Sequence, residues 1–467
     1  MHWPARALLI LGIVGLAAVA LLHAGLIPRG AWGADEFQTF GMFRAHGWQY
    51  LWFRFISWSP RPFSEALIAL YAALVRATGR PHIVVVLGIV WAAAVLALLP
   101  ALSATRGIAR AYRLLGALAV LCVVILGRDV ASVFYWPFGA VAYAPVVTVA
   151  MVLLFRAATP AATTLGNRGV TAALLIAAAW ASETGAMLVV VHTALLSLWL
   201  AWHRRPIRPD TWLPLLAGAG VIGVLVAGHR IDMAMLPGGS AARFHHPFAS
   251  LAAAAQQLIP EALALDISHF TAGSLLGGTL VKLAFFLGIQ GCWMTADPAR
   301  RGVPSRLAVV AVSFPLTCFL ILLASYYQYG LDCCDRHAFV RQALWFMAVA
   351  ALAIWTAPHG EPGRGWRGVA TPIALLLAVG LLLAPRSRAI WQDWRDYQDP
   401  MIARGLTWQS GRSPGPDMTI YQVRKDPMTY RLPDHADGCV QDWWAASIGW
   451  FFPGKTCIRV VTGAAPP

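Results

Sequence analysis

Long apolar runs dominate residues 1–385 of this chain, and most have the length that a helix needs to cross a membrane. About 20 apolar residues in helical form span the hydrocarbon core of a bilayer. Because many such runs follow it, the first one is predicted to be an uncleaved helix rather than a signal peptide. The pattern predicts about eleven spans, near 7–27, 82–102, 114–127, 139–155, 169–182, 184–202, 211–229, 273–293, 307–329, 338–357 and 369–385.

A polar and aromatic stretch, residues 28–62, follows the first span and is predicted to be an outer loop. It holds two adjacent acids, Asp35 and Glu36. After them, apolar side chains recur at the spacing of one helical face, at Trp48, Leu51, Trp52, Phe55 and Ile56. Tryptophan and phenylalanine on such a face are typical of a helix that lies in the membrane interface.

The next segment, residues 63–78, is apolar but short and contains Glu65 and Arg76. We predict a half-inserted or surface helix here, and the orientation of the whole chain depends on that prediction. Short loops rich in arginine are typical of the cytoplasmic side, and all five such loops share a side only if 63–78 does not cross. The amino terminus is then inside and the carboxyl terminus outside. The loop arginines are Arg106, Arg110 and Arg113; Arg156 and Arg168; Arg204, Arg205 and Arg208; Arg300, Arg301 and Arg306; and Arg364 and Arg367.

The chain becomes polar after residue 385. Residues 418–423 and 457–461 have the composition of short strands, and the residues just after 385 continue a helical pattern. Cys439 and Cys457 lie in this region, and an oxidising compartment would let them pair. We therefore predict a small extracytoplasmic domain of α+β type over residues 386–467.

Composition agrees with a membrane protein. Of 467 residues, 58% are hydrophobic and 12% are charged, and the net charge is +15. The mean hydropathy of +0.62 excludes a soluble domain with one core. Because the arginines are scattered between apolar runs, the charge indicates a lipid bilayer as a partner and argues against nucleic acid. The predicted fold is an all-α polytopic membrane bundle, residues 1–385, followed by the small α+β domain.

The remaining cysteines suggest little chemistry. Cys122, Cys292 and Cys318 lie within predicted spans, where cysteine usually packs as a small apolar residue. Cys333 and Cys334 are neighbours, so we expect no disulfide between them because its geometry would be strained. A zinc site made from this pair and His337 has no supporting ligand spacing.

The predicted topology gathers the unusual charged and aromatic residues at the outer face. Charged groups at the mouth of a membrane domain are costly, so they are candidates for function. The candidate catalytic acids are Asp35, Glu36, Asp129 and Glu183. The candidate substrate-binding residues are Arg61, Arg128, Tyr135, Trp136, Tyr143, His245, Arg336 and Arg341, together with Lys282 within a span.

Structural roles are alternatives for several of these residues. Asp35 could cap the helix that follows it, with Glu36 in the first turn of that helix. Arg128 and Asp129 could form a local ion pair at a helix end. The three aromatic candidates could belong to an ordinary aromatic belt at the membrane surface.

Lys282 and Glu183 are harder to explain as structural residues. Lys282 lies near the middle of its span and needs an anion, for which a donor phosphate or Glu183 is predicted. Transfer of a sugar from a lipid phosphate would use all the candidate groups. A carboxylate would act as general base on the acceptor hydroxyl, cations would hold the phosphate leaving group, and aromatic rings would bind the sugar.

The order of these features resembles the GT-C superfamily of polyprenyl-phosphate-sugar-dependent membrane glycosyltransferases. The shared order is one span, an outer loop with an acidic pair, an interfacial helix, Arg-Pro before a short helix, a second outer loop with an acid, and a polar carboxyl-terminal region outside. The stretches WSPRPFSEAL and FYWPFGAVAY resemble the bacterial branch that glucosylates O-antigen or other envelope glycans.

The resemblance implies an inverting glycosyltransferase with its catalytic acid at Asp35, beside Glu36, and a second-loop acid at Asp129. It implies a polyprenyl-phosphate-linked sugar donor, a glycan, lipid or protein acceptor, and a bacterial inner membrane with the carboxyl-terminal domain in the periplasm. Relatives carry Asp-Asp or a single Asp where this chain has Asp-Glu, so either acid is a candidate base. Members differ in their need for a divalent metal, and no ligand set in this sequence decides that question.

Other classes of protein remain open at the level of sequence. A transporter or flippase of lipid-linked glycans should show internal repeats, and none is apparent. A membrane O-acyltransferase would use a histidine in a span, but His192 and His229 lack a supporting motif. A non-enzymatic assembly factor would leave the acid pair, Glu183 and Lys282 unexplained.

Overall fold

The structure of the chain is a computed structural model that describes residues 3–103, 105–159, 165–227, 246–264, 271–294, 303–358, 365–422, 439 and 443–462. These residues are helical except for one pair of strands and the connecting turns. The helices are Trp3–Gly25 (α1), Ala34–His46 (α2), Trp48–Phe53 (α3), Pro62–Thr78 (α4), Ile83–Leu96 (α5), Leu99–Leu102 (α6), Gly107–Ile125 (α7), Pro137–Ala158 (α8), Leu165–Ala181 (α9), Glu183–Trp202 (α10), Pro209–Ala227 (α11), Pro247–Leu263 (α12), Ala272–Cys292 (α13), Val303–Tyr329 (α14), Asp335–Trp355 (α15), Arg367–Arg395 (α16), Asp399–Arg412 (α17) and Trp443–Phe451 (α18). The strands are Asp417–Gln422 (β1) and Cys457–Thr462 (β2).

Ten helical segments of the described residues are long and apolar enough to cross a membrane, so the chain is a multi-pass membrane protein with a predominantly helical fold. The eleventh predicted span corresponds to α9, which at 17 residues is shorter than the other ten. One end of α9 lies beside the end of α8, where Arg156 donates to the Asn167 carbonyl. At the other end of α9, the Ser64 hydroxyl donates to the Ala181 carbonyl over 2.9 Å.

The long helices run alternately between two ends of the bundle. We call the end that carries residues 28–62 the first-loop end and the opposite one the arginine-loop end. At the first-loop end, the Tyr397 hydroxyl just after α16 donates to the Gly25 carbonyl at the end of α1 over 3.1 Å. At the arginine-loop end, the Tyr112 hydroxyl near the start of α7 donates over 3.0 Å to the Gly368 carbonyl near the start of α16.

Both ends of α4 lie at the first-loop end. Its first turn contacts the end of α9 through Ser64, and beyond its last turn the Gly79 carbonyl accepts a hydrogen bond of 3.0 Å from Trp408 of α17. The helix therefore runs along this face, as the prediction that 63–78 does not cross requires.

The predicted interfacial helix is α3 extended by a π-helical turn over Arg54–Trp58. Its aromatic face is bare, with Trp48 74% exposed and Trp52 65% exposed. Large apolar side chains that the protein itself leaves uncovered beside a membrane bundle suit the headgroup region of a bilayer.

The carboxyl-terminal region forms the two predicted strands, which pair in parallel with Asp417 opposite Cys457. Cys439 and Cys457 are disulfide-bonded, as predicted. The described residues of this region do not form a core of their own, however. Buried residues of β1, β2 and α18 share one hydrophobic cluster with Trp32, Phe37 and Phe40 beside and within α2. The strands and the first outer loop are therefore stabilised by the same apolar burial.

Two further predictions are wrong. The stretch between the predicted spans 211–229 and 273–293, for which the sequence predicts only a connecting loop, contains α12, an alanine-rich helix that begins with Pro247 at its first position. Cys333 and Cys334 are bonded to each other, against expectation. Cys334 has a φ of 70° at the residue before α15, and this left-handed turn brings the two neighbouring side chains together.

Candidate active site at the first-loop end

A cavity of about 250 Å³ lies at the first-loop end, enclosed by α2, the segment 50–54, α4 and the beginnings of α8 and α15. Five of the predicted site residues line it, namely Asp35, Arg61, Trp136, Tyr143 and Arg336. They come from positions up to about three hundred residues apart, so only the fold brings them together. We call this space the first-loop cavity.

The two adjacent acids have different surroundings. Helix α2 begins at Ala34 with Gly33 as its N-cap, and the Glu36 carboxylate accepts the Gly33 backbone N–H over 2.8 Å. Glu36 is fully buried and also accepts from the Trp136 indole N–H over 2.8 Å. Burial raises the pKa of Glu36 to about 8, although both hydrogen bonds act in the opposite direction.

It follows that Glu36, and not Asp35, makes the capping contact, through the carboxylate of the third helical residue. The capping role that the sequence left open for Asp35 is therefore wrong. Asp35 instead faces the first-loop cavity, where its carboxylate is available to a bound molecule.

Arg61 and Glu183 form an ion pair at the wall of this cavity. The Arg61 guanidinium donates to one Glu183 oxygen through Nε at 2.9 Å and through a terminal nitrogen at 2.6 Å. The Ser59 hydroxyl donates to the other oxygen, and the Tyr143 hydroxyl accepts from Arg61 at 3.1 Å. Burial alone would lower the pKa of Arg61, but the nearby Glu183 carboxylate outweighs it and the pKa is raised.

This pairing follows from the local sequence. Pro60 and Pro62 flank Arg61 and keep it out of the helix, at the N-cap position of α4. Glu183 is the first residue of α10, after the N-cap Ser182, where a helix favours negative charge. The pair joins the start of α4 to the start of α10, and Glu183 is not among the residues that line the first-loop cavity.

Arg336 is the cation of the first-loop cavity with the most freedom to bind a ligand. Its guanidinium lies 5.6 Å from the centre of the Trp136 ring and 5.7 Å from that of the Tyr143 ring. Within the described part of the chain it forms no ion pair, and its Nε donates no hydrogen bond. A cation that lies beside aromatic rings and lines the same cavity as Asp35 can accept an anionic group of a ligand without breaking a protein ion pair.

The sequence did not single out a second ion pair in the cavity wall. Arg54 donates to both Glu65 oxygens at 2.8 Å, and its third contact is the Thr39 hydroxyl. The only signal in the sequence was one arginine inside an otherwise apolar interfacial helix, 11 residues before an acid. This pair joins the π-helical turn to α4, and both of its residues line the first-loop cavity.

Several candidates lie outside the first-loop cavity. Arg128 and Asp129 form an ion pair of 2.8 Å with each other, which is the structural alternative for these residues. The Tyr135 side chain is fully buried, and its hydroxyl donates to the His23 carbonyl over 2.9 Å. His245 lies outside the described residues.

Arg341 and Lys282 belong to a buried cluster around Glu261 of α12. Arg341 is fully buried and donates to Glu261 at 2.9 Å and to Asp332 at 2.7 Å. Lys282 donates to the Ala264 carbonyl at 2.7 Å and to the Glu261 carbonyl at 3.3 Å. The prediction that Glu183 partners Lys282 is therefore wrong, because the cation is satisfied by the end of α12.

A resident metal has no ligand set among the residues that the structure describes. No three His, Cys, Asp or Glu side chains cluster there as a metal site requires. Cys333 and Cys334 are joined in a disulfide, so neither offers a thiolate for the zinc site that was considered with His337.

Comparison with known proteins adds nothing to this description. No protein-family model, no curated protein and no solved structure matches the chain. The function is therefore inferred from the chemistry of the first-loop cavity.

Proposed function

We propose that this chain is a membrane glycosyltransferase of the inverting GT-C type, which moves a sugar from a polyprenyl-phosphate donor to a glycan, lipid or protein acceptor. One observation carries the proposal. A carboxylate, Asp35, and a cation that forms no ion pair among the described residues, Arg336, line one cavity that has aromatic walls and lies at one end of a membrane bundle.

Each group has a definite role in this reaction. Asp35 takes the proton of the acceptor hydroxyl as that oxygen attacks the anomeric carbon of the donor sugar. The bond between the anomeric carbon and the phosphate oxygen breaks, and the phosphate leaves with the electron pair. Arg336 stabilises the charge that develops on the phosphate. Trp136 and Tyr143 offer ring faces to the sugar.

The proposal is tested with purified protein in lipid nanodiscs and a panel of polyprenyl-phosphate sugars. We expect one donor to be consumed and Arg336→Gln to raise the KM for it by about tenfold or more, because a charge-assisted hydrogen bond to phosphate is lost. Arg388→Gln, an exposed arginine of α16 outside the cavity, is the control and should leave KM unchanged. Donor consumption with equal KM in both variants would place the phosphate elsewhere.

The same proposal includes an orientation in the bacterial inner membrane. We infer that α9 crosses with the ten longer spans, that the arginine-loop end is cytoplasmic, and that the first-loop cavity and the strands are periplasmic. The described arginines of the predicted inner loops support it, because they lie together at the arginine-loop end.

Cysteine labelling of intact cells checks this orientation. Ile108→Cys at the arginine-loop end, where the native side chain is 42% exposed, should react with a membrane-impermeant maleimide only after permeabilisation. Arg80→Cys between α4 and α5 should react in intact cells. The background is low because the three free cysteines are buried. Labelling of residue 108 from outside would reverse the orientation.

A further inference from the structure

A second and larger cavity, of about 920 Å³, lies at the arginine-loop end. It is enclosed by the ends of α5, α8 and α10 and by the beginnings of α9, α11 and α14, with α6 at one side. We call it the arginine-loop cavity. None of its lining residues takes part in the proposed sugar transfer.

Charge is concentrated in the lining of this cavity. Five arginines and one aspartate, Asp210, contribute to it. Two of the arginines are held in place, because Arg156 donates to the Thr171 hydroxyl of α9 and Arg205 lies 5.4 Å from the centre of the Trp199 ring. The five arginines are Arg156, Arg168, Arg205, Arg208 and Arg306.

The remaining lining is mostly apolar, and part of it faces outward. Leu96 is 59% exposed, Leu99 is 56% exposed and Val170 is 53% exposed. Leu96 and Leu99 belong to a span and Val170 belongs to α9 beside it, so their exposed surface is what a bilayer would cover. The cavity therefore combines a cationic rim with an apolar side that is open to lipid.

We propose that the arginine-loop cavity binds an anionic phospholipid of the adjacent leaflet. The arginines contact its phosphate, and its acyl chains leave along the open apolar side beside Leu99 and Val170. Arginine suits this role because its planar fork binds two phosphate oxygens at once. The apolar side favours a lipid over a free phosphate ion, because a phosphate ion has no apolar part that could contact it. The inference is independent of the activity proposed for the first-loop cavity.

The test compares lipid binding by two double variants with native mass spectrometry and tryptophan fluorescence. The full chain in detergent is titrated with phosphatidylglycerol, phosphatidylcholine and inorganic phosphate. We expect tighter binding of phosphatidylglycerol, and Arg208→Gln/Arg306→Gln should weaken it by about tenfold or more, since each basic residue near an anionic headgroup contributes to binding. Arg106→Gln/Arg110→Gln, exposed at the same end but outside the cavity lining, should bind as the wild type does.

A second measurement needs no variant and so does not depend on variant folding. A phosphatidylglycerol probe with a diazirine in one acyl chain should label wild-type peptides that contain residues 96–99 or 170–175. Labelling spread evenly over the spans, equal binding of phosphatidylcholine, equal losses in the two double variants, or full competition by inorganic phosphate would each overturn the proposal.

Discussion

Asp35→Asn is expected to lower sugar transfer by about 10²- to 10⁴-fold while the chain remains folded. Asparagine keeps nearly the same volume but loses the oxygen that accepts the proton. The structure removes the main alternative, since Gly33 is the N-cap of α2 and Glu36 supplies the capping carboxylate. The measurement is transfer of labelled sugar from polyprenyl phosphate in membranes, normalised to the amount of folded protein.

Glu36→Gln is the matched control because it makes the same chemical change one residue later. Glutamine at this position can still accept the Gly33 N–H, and the side chain is fully buried away from the cavity. We expect its turnover to stay close to that of the wild type. Loss of turnover in Glu36→Gln alone would identify Glu36 as the base, and normal turnover in both variants would make the acid pair structural.

These two acids also show how much of the candidate site could be predicted from the sequence. It indicated that the pair matters, because adjacent carboxylates after a first span stand out in an apolar chain. It could not separate them, because their roles depend on the residue at which α2 begins. That start is set by Gly33 and by the Trp136 indole, which lies 100 residues later in the chain.

The helices were easier to predict than the contacts that their side chains make. Apolar length determines a span almost by itself, since about 20 mostly apolar residues are needed to cross the hydrocarbon core. The contacts of Lys282 with the end of α12 join residues of separate helices, and no local sequence pattern predicts such contacts. Likewise, the alternation in β1 predicted a strand but could not show that its buried face packs with α2.

The Cys333–Cys334 disulfide was missed from the sequence for a different reason. We expected free thiols because strain opposes a bond between neighbours in most backbone conformations. Cys334 adopts a positive φ, and nothing in the sequence around it predicts this conformation. Arg336 follows two residues later in the first turn of α15, so the disulfide lies next in sequence to the cation of the first-loop cavity.

Arg341→Met is expected to destabilise the fold by about 3–5 kcal/mol, because it removes one partner from a buried ion pair. Arg341 and Glu261 are both fully buried, and Arg341 is also the counterion of Asp332. Methionine has a similar length but leaves the Glu261 carboxylate without its cation. We expect a large fall in the thermal unfolding temperature in detergent, whereas Arg128→Met should have little effect because its ion pair with Asp129 is partly exposed.

A double variant separates this structural role from the substrate-binding role that the sequence suggested for Arg341. Replacing both partners, as Arg341→Met with Glu261→Leu, should recover part of the lost stability, because the fully buried carboxylate is removed and only the partly exposed Asp332 loses its cation. If Arg341 instead held the donor phosphate, Arg341→Met would unfold at the wild-type temperature and lose donor binding, and the double variant would not restore it. A wild-type unfolding temperature for Arg341→Met would therefore contradict the structural assignment of the cluster around Glu261.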